Sequence, residues 1–136
     1  MTAPASPAHL LEGGCLVRHQ GRLWLKAQRP AKDYINHYLV PSRAEPGMAL
    51  LYIDPETELE PVAAKPSFSG LSPRPQGEET QFGDLVDTAS GRFIKALDIK
   101  KDGQRHSAYV DILTGEVRPR QERNVTAIYA DWILEI

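Results

Sequence analysis

The chain has 136 residues, of which 41% are hydrophobic and 25% charged, and its formal net charge is −2. That length suits one ordinary domain or two very small ones, and the near-neutral charge gives no general reason to expect polyanion binding, so any nucleic-acid surface has to be local. The single cysteine, Cys15, excludes an intramolecular disulfide and the thiolate cluster of a structural zinc site.

Residues 1–8, Met-Thr-Ala-Pro-Ala-Ser-Pro-Ala, lack the basic start and apolar core of a secretion signal, and no apolar run approaches the roughly 20 residues that span a bilayer. They read as a flexible tail, and a cytoplasmic location without membrane contact is the expectation. His9–Glu12 is a short lead-in that ends in the Gly13-Gly14 turn. Cys15–His19 has strand content, Gln20-Gly21 is a turn, and Arg22–Ala27 alternates with Leu23 and Leu25 on one face and Arg22, Trp24 and Lys26 on the other. Residues 28–36 read as a loop and His37–Pro41 as a strand closed by its proline. Met48–Ile53 is the most apolar stretch of the first half and the candidate central strand. Glu58–Val62 follows as a last short strand.

Residues 63–77 are dense in Pro, Ser and Gly and read as a linker, with Phe68 and Leu71 pinning it to a neighbouring surface. Strand-like runs then return at Leu85–Asp87, Arg92–Ile99 and Arg105–Ile112, with the Asp102-Gly103 pair marking a hairpin tip. Residues 124–136 read as one or two strands. Periodicity leaves a helix over Val125–Leu134 as the alternative. Short strands about ten residues apart, with turn chemistry between them, predict an all-β fold.

Gly14-Cys15-Leu16-Val17 followed by Gly21-Arg22-Leu23-Trp24-Leu25-Lys26-Ala27 returns as Gly83-Asp84-Leu85-Val86 followed by Gly91-Arg92-Phe93-Ile94-Lys95-Ala96. On Leu16-Val17, Gly21-Arg22 and Ala27, and again on Leu85-Val86, Gly91-Arg92-Phe93 and Ala96, each copy resembles an SH3-like or Tudor-like small β-barrel. The resemblance implies a tandem: a first barrel over 9–62, a Pro-rich linker over 63–77 and a second barrel over 78–136. It also implies ligand binding by loop-borne aromatic residues or by strand edges.

Trp24, Tyr34, Tyr38 and Tyr52, with Phe93, Tyr109, Tyr129 and Trp132, are either an aromatic cluster for a cationic group or the ordinary filling of small barrels. Arg18, Arg22, Lys26, Arg29, Lys32 and Arg43 face an acidic run at Asp54, Glu56, Glu58 and Glu60. That separation makes either a phosphate-binding groove or a cross-sheet balance of charge. Lys95, Lys100, Lys101, Arg105, Arg118, Arg120 and Arg123 form a second basic set, explained largely by solvated hairpin tips.

No nucleophile stands with a base: Cys15 and His19 would lie about 13 Å apart on one strand face. No His-x-His or His-x-x-x-His pair suggests a metal, and no glycine-rich phosphate cradle a nucleotide. The expectation is a non-enzymatic protein-binding or assembly module, without cofactor or metal. Its ligand-binding candidates are Arg22, Trp24, Lys26 and Tyr38, with Arg92, Lys95 and Tyr109 as counterparts. The partner is expected to be a protein or a larger assembly, such as a phage particle or secretion apparatus, with homo-oligomers allowed; nucleic-acid binding through the basic faces is the alternative.

Overall fold

A computed structural model describes residues 4–100, 102–119 and 124–136. It is all-β, with two six-stranded antiparallel sheets. The strands are β1 (Ser6–Pro7), β2 (Leu16–His19), β3 (Arg22–Pro30), β4 (Ile35–Pro41), β5 (Leu51–Ile53), β6 (Glu58–Val62), β7 (Ser67–Pro73), β8 (Leu85–Thr88), β9 (Gly91–Ile99), β10 (Arg105–Asp111), β11 (Val117–Arg118) and β12 (Val125–Glu135). Ala8–Leu10 form a single 3-10 turn. The first sheet runs β1-β6-β2-β3-β4-β5 and the second β7-β12-β8-β9-β10-β11, so the two halves share one strand order.

Local sequence explains the hairpins. Gln20 and Gly21 both take positive φ, 54° and 73°, the two-residue turn that matches the twist of β2 and β3. Gly103, at φ 86°, sits in the β9–β10 connection. Residues 125–134 form strand, because β12 is paired on both sides, by β8 and by β7, which gives its backbone groups partners a lone helix would not need.

Several expectations are corrected. Met48–Ile53 is not a central strand. Only Leu51–Ile53 pair with β4, and they form the edge of the sheet, while Met48 and Leu50 turn toward the other half, where Leu97 N donates to Met48 O at 2.8 Å and Leu50 N to Leu97 O at 2.9 Å. The tail is tied down at its end: Ser6 pairs with Leu59, Pro7 with Glu58, and Ala8 is fully buried. Half of the linker is strand, since Ser67–Pro73 pair along β12. Phe68 packs edge-on to Trp132 at 5.7 Å, whereas Leu71 is 37% exposed.

The two halves have corresponding backbone hydrogen bonds, in a register shifted from the literal string. Lys26 N donates to Cys15 O and Lys95 N to Asp84 O, both at 2.9 Å, so Cys15 and Asp84 correspond, as do Lys26 and Lys95. Val17 pairs with Trp24 and Val86 with Phe93, which makes Phe93, not Ile94, the counterpart of Trp24. Arg22 corresponds to Gly91 and Arg92 to Leu23, so the shared Gly-Arg is a coincidence of neighbouring positions. Lys26 pairs with Leu39 and Lys95 with Tyr109, so Tyr109 matches Leu39 rather than Tyr38.

One core cluster joins the halves, with Leu16, Leu25, Ala27 and Tyr38 packed among Leu85, Ile94, Ala96, Val110 and Trp132. A second, confined to the first half, holds Ala8, Val17, Trp24, Leu39, Ile53 and Leu59. The halves also exchange backbone pairing reciprocally, through bridges Gln28 to Glu116 and Ala49 to Leu97. The glycine of each Gly-x-Leu-Val stands at this junction. Gly14 (φ 87°) and Gly83 (φ 99°) are left-handed, and a Cβ at either would collide with a backbone carbonyl of the other half, Leu113 O or Glu45 O.

Candidate functional site

Strand alternation fixes which candidates can meet. On β3, Trp24, Lys26 and Gln28 share one face and Leu25 and Ala27 the other, and the cross-strand pairs put Leu39 and His37 with the first set and Tyr38 with the second. The seven candidate residues therefore do not converge on one site.

Arg22 is exposed, lies 4.9 Å over the Trp24 ring and reaches Glu45 at 3.5 Å. Trp24 is only 7% exposed and its Nε1 donates to His19 O at 3.1 Å, so the alternation that suggested a polar face marks a second core face instead. Lys26 is completely buried. Its Nζ donates to Gln28 Oε1 at 3.0 Å, and burial holds its pKa below the ordinary lysine value. Tyr38 is 2% exposed and stands edge-on to Tyr52 at 5.6 Å.

In the second half, Arg92 is forked onto Asp87, with Nη2 to Oδ2 at 2.9 Å, and flanked by Phe68 and Tyr129. Lys95 donates from Nζ to Thr80 O and Oγ1, both at 3.1 Å, with Phe82 and Tyr109 rings 5.1 and 5.9 Å away. Lys95 and Tyr109 are brought together, as are Arg22 and Trp24. Lys26, Tyr38 and Arg92 stand apart, each engaged in packing or pairing. Of the second basic set, Lys101, Arg120 and Arg123 lie outside the described residues.

Sequence reading missed two buried acids. Asp84 is 1% exposed and accepts from Arg74 Nε at 2.8 Å, Arg74 Nη2 at 3.0 Å and Gln81 N at 2.8 Å. Asp98 is 3% exposed and ties the halves together, with Arg29 at 3.3 Å and Lys100 at 2.8 Å. It also missed a cleft of about 690 Å³ whose lining includes Leu10, Leu11, Tyr34, Ile35, Gln28 and His37. The signal available was the alternation of His37 with Leu39, which puts an imidazole on an apolar face. Burial, then Lys26, then His9 push the His37 pKa below its ordinary value. Burial pushes the Cys15 thiol up, against the pull of Lys26.

Among the described residues, no group of three or more His, Cys, Asp or Glu is placed to hold a metal ion, and no helix is long and apolar enough to cross a membrane.

Burial, and next the nearby Asp98 charge, raise the Tyr38 pKa to about 12 from an ordinary 10. Between those values the folded chain keeps a proton that the unfolded chain has released, so this contribution to stability falls as pH rises from 10 to 12, by about 2–3 kcal/mol. Cys15 acts in the same direction above pH 9 and Lys26 in the opposite one. Denaturant melts at pH 8 and pH 11 should therefore lose less stability in Tyr38→Phe than in wild type. Equal losses would place the alkaline sensitivity elsewhere.

Comparisons with protein-family models, with curated proteins and with solved structures each found no match.

Proposed function

We propose that the protein is a non-enzymatic binding or assembly module, built as two small SH3-like barrels that pack into one body and accept a partner strand at a free sheet edge. The shared strand order and the reciprocal bridges between the halves support the tandem reading. The observation that carries the binding reading is β7. It closes one end of the second sheet with seven residues, Ser-Phe-Ser-Gly-Leu-Ser-Pro, none charged and most of them exposed. Edges of that length are normally blunted by lysine, by an interior proline, by a bulge or by a cover. β7 has an irregular register between Ser69 and Pro73, but its Ser67–Ser69 stretch pairs regularly with β12, carries no charge or proline, and offers a template for strand addition. β5, at the end of the first sheet, adds Leu51 and Tyr52, 41% and 48% exposed.

The nucleic-acid alternative draws less support, because several of the basic side chains that would make a phosphate-binding face are already engaged. Arg29 and Lys100 are held by Asp98, Arg74 by Asp84 and Arg92 by Asp87, while Lys26 is buried.

Leu71→Lys puts a charge on the exposed β7 edge without disturbing either core cluster. The variant should fold as wild type and lose any protein that co-purifies with the native chain and any discrete oligomer that the native chain forms. Retention of either by Leu71→Lys would refute the edge as the binding surface. A single-stranded or duplex oligonucleotide bound at 50 mM salt, and released steeply as salt rises, would move the assignment to nucleic acid.

A further inference from the structure

One face of the first sheet holds two bases without a carboxylate; the acid that faces Lys26 is the Cys15 thiol, whose pKa burial raises. Lys26 is 0% exposed, its Nζ bonds only the neutral Gln28 amide, and no carboxylate among the described residues pairs with it. His37, the cross-strand partner of Gln28, is 4% exposed, and its Nδ1 has no hydrogen-bond partner. A buried ammonium lacking a counter-charge is already costly, and a second positive charge on the same face adds repulsion to desolvation.

The cover over this face is the N-terminal segment, residues 6–11. It is held by few bonds: Ser6 and Pro7 on β6, Ala8 N to Thr57 O at 2.9 Å, His9 N to Pro55 O at 3.0 Å, and the packing of Ala8 and Leu11 on Val17, Trp24, Leu39, Ile53 and Leu59. By pairing with Glu58 and Leu59 it also caps one end of the β6 edge.

We propose that residues 6–11 are an acid-released strap: a proton taken up on His37, on the same buried face as the unpaired Lys26 ammonium, detaches the segment and bares the β6 edge for a partner strand. Lifting the strap hydrates His37, so the open form binds the proton that the closed form resists. The other ionisable groups around the cleft do not supply the missing counter-charge. His9, which also lines the cleft, lies 3.4 Å from Glu56, and Glu12 and Asp33 line the cleft without bonding His37 Nδ1. The use made of the bared edge rests on the strand-addition reading above; the release does not.

Amide hydrogen exchange on the isolated protein, corrected for intrinsic rates and followed from pH 7.5 to 5.0, tests release without any partner. Ala8, His9 and Leu11 should open about tenfold more per pH unit through the transition, the slope of one preferentially bound proton, while β9 and β10 amides hold. His37→Gln should keep the strap closed at pH 5.0, Lys26→Met should move release to lower pH, and His9→Gln should release as wild type does. The idea is overturned if strap and core amides respond alike, or if His37→Gln opens like wild type. Abolition of release by His9→Gln would overturn it too. Should His37→Gln fail to fold by circular dichroism at pH 7.5, Lys26→Met decides: release at the wild-type pH refutes the role of the buried charge. A strap that opens while no partner binds would leave release standing and remove the edge-pairing reading alone.

Discussion

Trp132→Ala is expected to destabilise the protein by about 3–5 kcal/mol, the range for emptying a buried tryptophan site. Trp132 is 1% exposed and is the largest fully buried side chain among the described residues. It meets three separate parts of the chain. Its ring packs edge-on against Phe68 of β7, its Nε1 donates to Gly83 O at 2.7 Å, and its backbone carbonyl accepts from Ala44 N of the first half at 3.1 Å. The cavity has little room to collapse on the Gly83 side, where even an added Cβ would collide with Glu45 O. For a chain of this size the loss corresponds to a Tm lower by about 10–20 °C, a large part of the 5–15 kcal/mol typical of a domain.

Because the cluster around Trp132 includes Leu25 and Tyr38 as well as Ile94 and Val110, both halves should melt together, in one transition, in wild type and variant alike. Trp132→Phe, which keeps most of the packing and loses the Nε1 bond, should cost about 1–2 kcal/mol. A Trp132→Ala variant within 1 kcal/mol of wild type, or two resolved transitions, would mean that the shared core does not couple the halves.

The strands made by nearest neighbours in sequence were legible from the chain alone. β2, β3 and β4, and again β8, β9 and β10, are hairpins whose turns carry their own chemistry, as at Gln20-Gly21. What was not legible depends on partners far away along the chain. β7 has two large apolar residues in seven and reads as a linker, and only β12, some 60 residues on, makes it a strand. β1 needs β6, about 50 residues on, for the same reason. The face of Arg22, Trp24 and Lys26 looked solvated because alternation predicts one wet side. In this fold β3 is covered on both sides, by the shared core at Leu25 and Ala27 and by the first-half cluster at Trp24. That double cover converts two of the proposed ligand-contacting side chains into interior ones, and no local pattern on β3 could have announced it. Even the repeat, visible as a string, misled by one residue after the turn, since a literal match follows residue identity whereas the sheet follows register.

A position where the two halves differ in chemistry yields the second large effect. Asp84 and Cys15 occupy corresponding places at the start of the second and first halves. Asp84 is a buried carboxylate with three donors, two from the Arg74 fork and one from Gln81 N, and it fixes the segment that runs from β7 into β8. Asp84→Ala leaves Gln81 N without its acceptor and the partly exposed Arg74 guanidinium with only Glu78, 3.6 Å away, so the expected cost is about 2–3 kcal/mol. Arg74→Ala should cost a similar amount, because the buried carboxylate keeps only the Gln81 N donor of its three. The double variant should cost less than the sum of the two, because each single change already removes the ion pair between them.

Cys15 bonds nothing comparable. Its side chain is only partly buried at the edge of the first-half cluster, so Cys15→Ala should cost under about 1 kcal/mol, the loss of one small polarisable group. Chemical denaturation of the four variants decides the matter. Equal costs at Asp84 and Cys15, or strict additivity of Asp84→Ala with Arg74→Ala, would show that the two copies are anchored by packing alone. The expected asymmetry would instead place a rigid, ion-paired entry on the second half and a lightly held one on the first, where the strap over Lys26 and His37 is free to lift.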